Sequence, residues 1–412
     1  MSQVTETPAI SKTILPYTYQ AMLNPCIFTD SALFAASPVF LNTGKAQLEC
    51  RWVDVDYLRR NMAAWDRLAV SAMMPNISFE SNYLLPALSH LACPRVRVLA
   101  VELNSGEELV LIGLVPVVEK PIYRLPFKSA EIWKHDQCFD TTPLLHKDYA
   151  TEAWGAICKT VLDSGYVLFS LDTVSAEAPF ASVLEAVEQS AGQFRFQRDS
   201  FDRAAFTPSV SNEQYVKQFV SKNTRRKMNR LMRGFERLGE VTWEFCSAES
   251  DYESLAKQFL RIEGSGWKGK AGTALASNAS TKNFFMNLIQ QSSRVGKARF
   301  VTLLLDQEPI AMICNIQSGE FVYSYKTAFN EAYAKYSPGI QVELKNLECL
   351  HRDGIQRSDS CSAPDNQAMN RIYGQRIYFQ SLVLSLRPGL SRITAKSLPA
   401  LQNAIRKIKR RN

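Results

Sequence analysis

Histidine is scarce in this chain of 412 residues: there are four, His90, His135, His146 and His351, and they are scattered. His135 and Cys138 lie three apart, but no second pair completes a ligand set, so no metal is expected. The nine cysteines, Cys26, Cys50, Cys93, Cys138, Cys158, Cys246, Cys314, Cys349 and Cys361, are odd in number and include no CxxC pair. That spacing argues against a disulfide framework and against a structural zinc site. Long hydrophobic runs are also missing. The best candidate, 109–118, is about ten residues long and contains Pro116, too short to span a bilayer as a helix. The first eleven residues lack a basic-then-apolar leader. The reading is therefore a cytoplasmic chain with no transmembrane segment. No GxSxG elbow or paired Cys/His signature marks a covalent nucleophile. Gly264 followed after four residues by Gly269-Lys270 imitates a phosphate loop, but the next residue is Ala271, so the Mg²⁺-binding hydroxyl is absent. The segment also follows an expected helix, 252–262, rather than a strand, which excludes a nucleoside triphosphatase on this motif.

Apolar residues make up 46% of the chain and charged residues 21%, an ordinary globular composition with material for two cores. The net charge of +8 is local. Residues 222–237 hold seven Lys/Arg and one Glu, and 401–412 hold five Lys/Arg and no acid, so these two segments exceed the whole net charge. A local patch implies an anionic partner more readily than a diffuse excess does.

One layout occurs twice. In the second half a helix over 282–291 precedes strands at 298–305, 309–316 and 321–327, joined by the short turns 306–308 and 318–320, an antiparallel meander. A helix over 340–351, a short strand at 357–361, a helix over 366–372 and a last strand at 376–386 follow. The first half repeats the order with a helix over 82–91 and strands at 96–103 and 109–118. The order predicts an α+β fold of two tandem domains, 1–206 and 207–412, each a mixed, mostly antiparallel sheet flanked by helices, with the N-terminal copy degenerate.

Ser337-Pro338-Gly339 opens the helix over 340–351. A helix N-terminus offers unpaired amides and the positive end of its dipole. Ser337 is expected to cap it, Pro338 suits the first turn, Gly339 admits close approach to the backbone, and Lys335 adds a positive charge. Simple helix entry reads the same way. Glu263 beside Trp267 is either a desolvated base or a surface carboxylate at a helix end. Asp359, in a strand between Ser358 and Ser360, is costly unless paired or functional. Tyr323 and Tyr325 lie two apart on one strand face and line either a pocket or the core. On a wheel of 100° per residue, Lys222, Arg226, Arg230, Arg233 and Arg237 fall within an arc of about 80°, opposite Met228, Leu231, Met232, Phe235 and Leu238. The segment 222–238 thus reads as an amphipathic helix with a basic ridge outward.

The run Ala332-Tyr333-Ala334-Lys335-Tyr336-Ser337-Pro338-Gly339, then a helix, an Asp359-containing strand and Tyr373-Gly374, resembles the CelD/BcsL branch of the GNAT acyltransferase superfamily, a relative of the Fem peptidyltransferases. Glu263-Gly264-Ser265-Gly266-Trp267-Lys268-Gly269, with Gly272 beyond, is similar to that branch's Trp-Lys-Gly segment. The resemblance spans 212–386, and the N-terminal half only in layout. It implies an opening between two parallel strands that holds acyl-CoA, with acetyl-CoA as co-substrate and no metal. Lys335, Tyr336, Ser337, Pro338, Gly339 and Ile340 would hold the donor. Glu263 or Asp359 would act as base and Tyr373 as acid, while Trp267, Lys268, Tyr323 and Tyr325 would line the acceptor site.

The expected reaction is acyl transfer to an amine or hydroxyl by direct attack, in envelope or polysaccharide metabolism. The expected partners are a small-molecule, glycan or peptide acceptor, an anionic partner at the basic helix, and a second copy of the chain. Two other readings stand beside it: a Fem-like transferase using aminoacyl-tRNA, and a non-catalytic transferase fold that binds an anionic surface.

Overall fold

The computed structural model describes residues 39–43, 46–104, 109–122, 128–208 and 211–388. The basic stretch 401–412 lies outside them. In chain order the first half holds β1 (Val39–Thr43), β2 (Ala46–Val53), α1 (Val55–Arg60), α2 (Met62–Ser71), α3 (Ser81–His90), β3 (Arg97–Asn104), β4 (Leu109–Glu119), β5 (Ser129–Ile132), β6 (Leu144–Leu145), α4 (Ala150–Asp163), β7 (Leu168–Ser175), α5 (Ala178–Ala191) and β8 (Phe194–Phe206). The second half holds α6 (Asn212–Phe219), α7 (Lys222–Phe235), β9 (Val241–Phe245), α8 (Tyr252–Ser265), α9 (Trp267–Lys270), α10 (Ala279–Arg294), β10 (Ala298–Leu305), β11 (Glu308–Ser318), β12 (Phe321–Phe329), α11 (Pro338–Arg352), β13 (Arg357–Asp359), α12 (Gln367–Asn370) and β14 (Gln375–Ser385). None of the described helices is long and apolar enough to cross a membrane.

Local chemistry sets these boundaries. Asp306 and Gln307 both take left-handed backbone, φ 49° and 67°, which is what a two-residue hairpin between β10 and β11 needs. Ser221, Asp251 and Asn278 each accept an amide hydrogen bond at the start of α7, α8 and α10, satisfying donors that the helix itself leaves open. β11 is buried along nearly its whole length, so helices or chain cover both faces and the strand reads as a continuous apolar run.

The strands form one 14-stranded sheet in the order β1-β2-β3-β4-β5-β7-β14-β8-β13-β12-β11-β10-β9, with β6 paired to β4. All pairings are antiparallel except β5 with β7 and β12 with β13. Read inward from either end, the order is symmetric: β2-β3-β4-β5-β7 on one side mirrors β9-β10-β11-β12-β13 on the other. The last strand of each half then crosses over. β14, from the end of the described chain, pairs with β7, and β8, from the middle, pairs with β13. β8 and β14 meet at the centre in a register running from Gln375 opposite Ala205 to Ser385 opposite Phe194. The fold is thus a mixed α/β architecture with a mostly antiparallel sheet flanked by helices, and its layout is doubled as the sequence order predicts.

Around the centre, Ala204 and Phe206 of β8 pack with Val322 of β12, Leu347 and Leu350 of α11, and Ile372 and Tyr373. This core holds α11 and the end of α12 against the β12/β13 pair.

Candidate active site

The parallel pairing of β12 with β13 runs only from Phe321 opposite Arg357 to Tyr323 opposite Asp359. On the other side of β12, Ile316 faces Tyr323 while Cys314 faces Lys326, so β12 carries one residue more than β11 in that interval. This is a β-bulge at Ser324-Tyr325. A bulge bends its strand and interrupts the ladder, and here it falls where β12 leaves β13. The two strands diverge, and a cavity of about 220 Å³ opens between them. Phe139, Lys268, the β12 segment from Ser324 to Thr327, Glu343, and Ser360 to Ser362 contribute to its walls.

Glu343, on α11, lines this cavity and makes no ion pair with a described residue. Its Oε1 accepts from the Thr327 hydroxyl and its Oε2 from the Tyr373 hydroxyl at 2.9 Å. Burial pushes its pKa up from 4.5 to about 7, against the two hydroxyls that favour the anion. Tyr373 is 3% exposed. Burial first, and the charge of Glu343 next, raise its pKa well above the ordinary tyrosine value, so the hydroxyl stays protonated at neutral pH. It also lies 3.3 Å from Ser324 Oγ, which Asn346 contacts in turn, and Asn346 bonds to Asn315 at 2.8 Å. A chain of buried hydrogen bonds therefore runs from the cavity wall into the α11/β11 interface.

The other two carboxylates singled out in the sequence are engaged. Glu263 is 4% exposed, and its oxygens accept from Lys268 Nζ at 3.2 Å and from the Leu275 amide at 2.8 Å. Asp359 is fully buried, pairs with Arg203 of β8 at 2.5 Å and accepts from the Cys361 amide at 2.8 Å. Trp267 is 55% exposed and donates its amide to Glu331. Trp267, Lys268 and Thr327 line a second space of about 40 Å³ beside the main cavity, with Lys268 and Thr327 common to both. In the phosphate-loop look-alike, a Cβ on Gly269 would lie 1.8 Å from the Gly264 carbonyl oxygen, so this glycine serves close backbone packing.

The turn before α11 differs in detail from its expected form. Ser337 occupies the cap position with φ 52° and ψ 50°, and its side chain makes no cap hydrogen bond; the left-handed backbone turns the hydroxyl away from the helix amides. Ser337 donates its own amide to Ala334, and Ile340 donates to Ser337, while Pro338 has no N–H. That leaves the Gly339 amide as the donor of this stretch without a protein acceptor among the described residues. A Cβ on Gly339 would sit 3.0 Å from the Phe329 ring, so the close approach that glycine permits here is made by Phe329. Tyr336 packs edge-on against Phe235 of α7, and Lys335 Nζ lies 4.9 Å from the Tyr336 ring centre. α7 thus borders the turn, and Gln341 ties it to α11 through the Met228 carbonyl at 2.9 Å. Met228 and Phe235 face inward, and Lys222, Arg226, Arg230, Arg233 and Arg237 are all exposed, as the wheel predicts; Leu238 differs, being 46% exposed beyond the helix end.

The N-terminal half supplies part of the site. The segment after β5 crosses to β12, where Tyr325 donates its hydroxyl to Gln137 Oε1 at 3.0 Å and Phe139 packs edge-on against the Tyr325 ring. Tyr323 donates to the Pro75 carbonyl at 3.0 Å. Of the residues predicted from sequence, Lys268 and Tyr325 meet at the cavity, Tyr373 reaches it through Glu343, Glu263 stands behind Lys268, and Asp359 lies beneath the strand divergence. The turn 335–340 is linked to it through α11. Glu343, Lys326, Thr327, Arg203, Gln137 and Phe139 were not singled out. For Glu343 a signal existed: with Asn346, Leu347 and Leu350 it follows the spacing of the buried face of α11, a polar intrusion on an apolar stripe.

Residues 222–366 match the family described as an acetyltransferase (GNAT) domain. Among solved structures, FemX superposes with a TM-score of 0.52 at 11% identity, covering 82% of this chain and 98% of that one. The C-terminal domain of an Agrobacterium fabrum protein assigned as a lysylphosphatidylglycerol synthetase does so with a TM-score of 0.52 at 10% identity, covering 84% and 95%. A tandem GNAT protein from the clavulanic acid biosynthesis pathway aligns with a TM-score of 0.41 at 10% identity, covering 83% and 99%. At these identities the likeness to the first two structures bears on fold alone. No curated protein sequence matches the chain significantly.

Proposed function

Starting from the premise that this chain is a distant member of the GNAT superfamily with a Fem-like fold, we propose that it transfers an acyl group, acetyl in the first instance, from acyl-CoA to an amine or hydroxyl acceptor in the opening between β12 and β13. The observation that carries this reading is Glu343 in the wall of that opening with Tyr373 directly behind it: a carboxylate poised near pKa 7 hydrogen-bonded to a phenol held in its protonated form.

The pair suits the proton balance of the reaction. As the acceptor nitrogen or oxygen bonds to the thioester carbonyl carbon, its proton passes to Glu343. As the C–S bond breaks, Tyr373 protonates the thiolate and recovers a proton from Glu343 across their 2.9 Å hydrogen bond. No covalent enzyme intermediate is needed. The donor's phosphates would lie toward the start of α11, where the helix dipole, the Gly339 amide and Lys335 favour negative charge. The exposed ridge belongs to α7, the helix whose inner face packs on this turn, and would add to that positive field. Lys268, Tyr325 and Trp267 would face the acceptor.

Calorimetric titration with acetyl-CoA and longer acyl-CoAs tests the donor. Binding in the micromolar range is expected for at least one, and absence of heat with all of them removes the CoA reading.

A further inference from the structure

The cavity contains a cation for which no described residue supplies a counter-ion. Lys326 lies on β12 in the cavity wall, beside Thr327 and across from Ser360 and Ser362. Lys268, the other lysine here, pairs with Glu263. Lys326 makes no hydrogen bond and no ion pair with any described residue; the contact of its ammonium is the Tyr325 ring, 5.6 Å from the ring centre. The carboxylate whose charge reaches Lys326 is Glu263, and it is already held by Lys268 and the Leu275 amide. A desolvated charge without a partner is unfavourable, and the strain shows in its titration. Burial and then the charge of Lys268 lower the Lys326 pKa from 10.5 to about 8, with Glu263, Cys361 and Cys314 opposing.

We propose that Lys326 is the recognition residue for an anionic substituent, a carboxylate or a phosphate, on the acceptor substrate. The proposal rests on the reading of this cavity as the transfer site. The hydroxyls of Ser360 and Ser362 and the Asn366 side chain, which share the cavity, can donate to the same oxygens. The cavity measures about 220 Å³. Such a space takes a small charged head group and leaves the rest of a larger acceptor outside. A bound anion stabilises the ammonium form, so binding takes up a proton where the free lysine is partly neutral.

Titration of the donor-free chain with glutarate, inorganic phosphate and uncharged glutaramide, at fixed ionic strength, tests this. Glutarate or phosphate binds, the tighter of the two identifying the substituent, and glutaramide does not. Lys326→Met weakens that binding at least tenfold and Lys326→Arg keeps it within about threefold. Between pH 7 and 9 the affinity falls, and calorimetry in two buffers of different ionisation enthalpy registers proton uptake near pH 8. The proposal is overturned if neither anion binds, or if Lys326→Met binds them as the parent chain does. Acetyl-CoA titrated into the same Lys326→Met protein separates the two claims. Retained acetyl-CoA binding with lost anion binding supports the inference, whereas anion binding by a parent chain that takes up no acyl-CoA removes the transferase reading and leaves the anion site standing.

Discussion

Two buried acidic residues, Glu343 and Asp359, illustrate how differently one protein can hold a carboxyl group. Asp359 has a cation at 2.5 Å in Arg203 and an amide besides; Glu343 has two hydroxyls and, among the described residues, no cation. The consequence for Glu343 is a pKa of about 7, above its ordinary value of 4.5. A folded-state pKa above the unfolded one means that the stability contributed by this group is complete below pH 4.5 and is lost as pH rises through 7. Glu343→Gln mimics the protonated form. Its stability relative to the parent should therefore improve from pH 5 to pH 8 by roughly 2–3 kcal/mol, read as the difference in urea-unfolding free energy at the two values. An unchanged difference would mean that the carboxyl titrates normally. Acyl transfer should move the opposite way, with kcat at pH 8 down by 10²-fold or more, as expected when a proton-transfer group is removed. For the Asp359 pair the expectation is structural. Arg203→Met leaves an uncompensated buried carboxylate and should destabilise the fold by roughly 3–5 kcal/mol, measured in the same unfolding experiment; a loss under 1 kcal/mol would show that Asp359 does not depend on Arg203.

Elements differ in how far the sequence reveals them, and the reason is the range of the interactions that define them. β10 spans Ala298–Leu305 and α7 begins at Lys222, as predicted, because hairpin turns and helix caps are contacts between residues a few positions apart. The bulge at Ser324-Tyr325 was not legible: it exists only relative to β11 and to the end of β13. The same holds for the meeting of Tyr325 with Gln137 and Phe139, nearly two hundred residues away, and for Arg203 beneath Asp359. Spacing on a strand or helix says which face a residue takes, and says nothing of what another part of the chain places opposite it. The basic ridge of α7 shows what local reading can carry. Its amphipathic wheel foretold the exposed cations, and tertiary packing then set the inner face of their helix against the turn before α11. Replacing Arg226, Arg230 and Arg233 together by Gln should leave the melting temperature within about 2 °C, since exposed charges contribute little to stability. The triple variant should weaken acyl-CoA binding several-fold at low ionic strength, and the difference should fade as salt screens the ridge. Equal affinity at low salt would detach α7 from the donor.

At the scale of the whole molecule, the exchange of β8 and β14 decides how the protein can be divided. Cut between residues 208 and 211, the N-terminal piece would retain β8 but lose the partner of β7, and the C-terminal piece would retain β14 but lose the partner of β13. Each piece would expose the edge of its central strand pair, and the buried residues of the core around Phe206, Tyr215, Leu350 and Tyr373 would be split between them. Exposed apolar strand edges drive association. Residues 1–208 and 211–412 expressed separately should therefore be insoluble or unfolded, although the second contains the whole of the family match. Expressed together, the two pieces can restore the central β8/β14 ladder, whose eleven paired positions from Gln375/Ala205 to Ser385/Phe194 form the seam of the sheet. Co-purification of an untagged piece with its tagged complement, accompanied by cooperative thermal unfolding and recovered acyl-CoA binding, is the expected result. A soluble, cooperatively folded 211–412 fragment would show instead that the crossed strands are dispensable, and that the opening between β12 and β13 is supported by its own half alone.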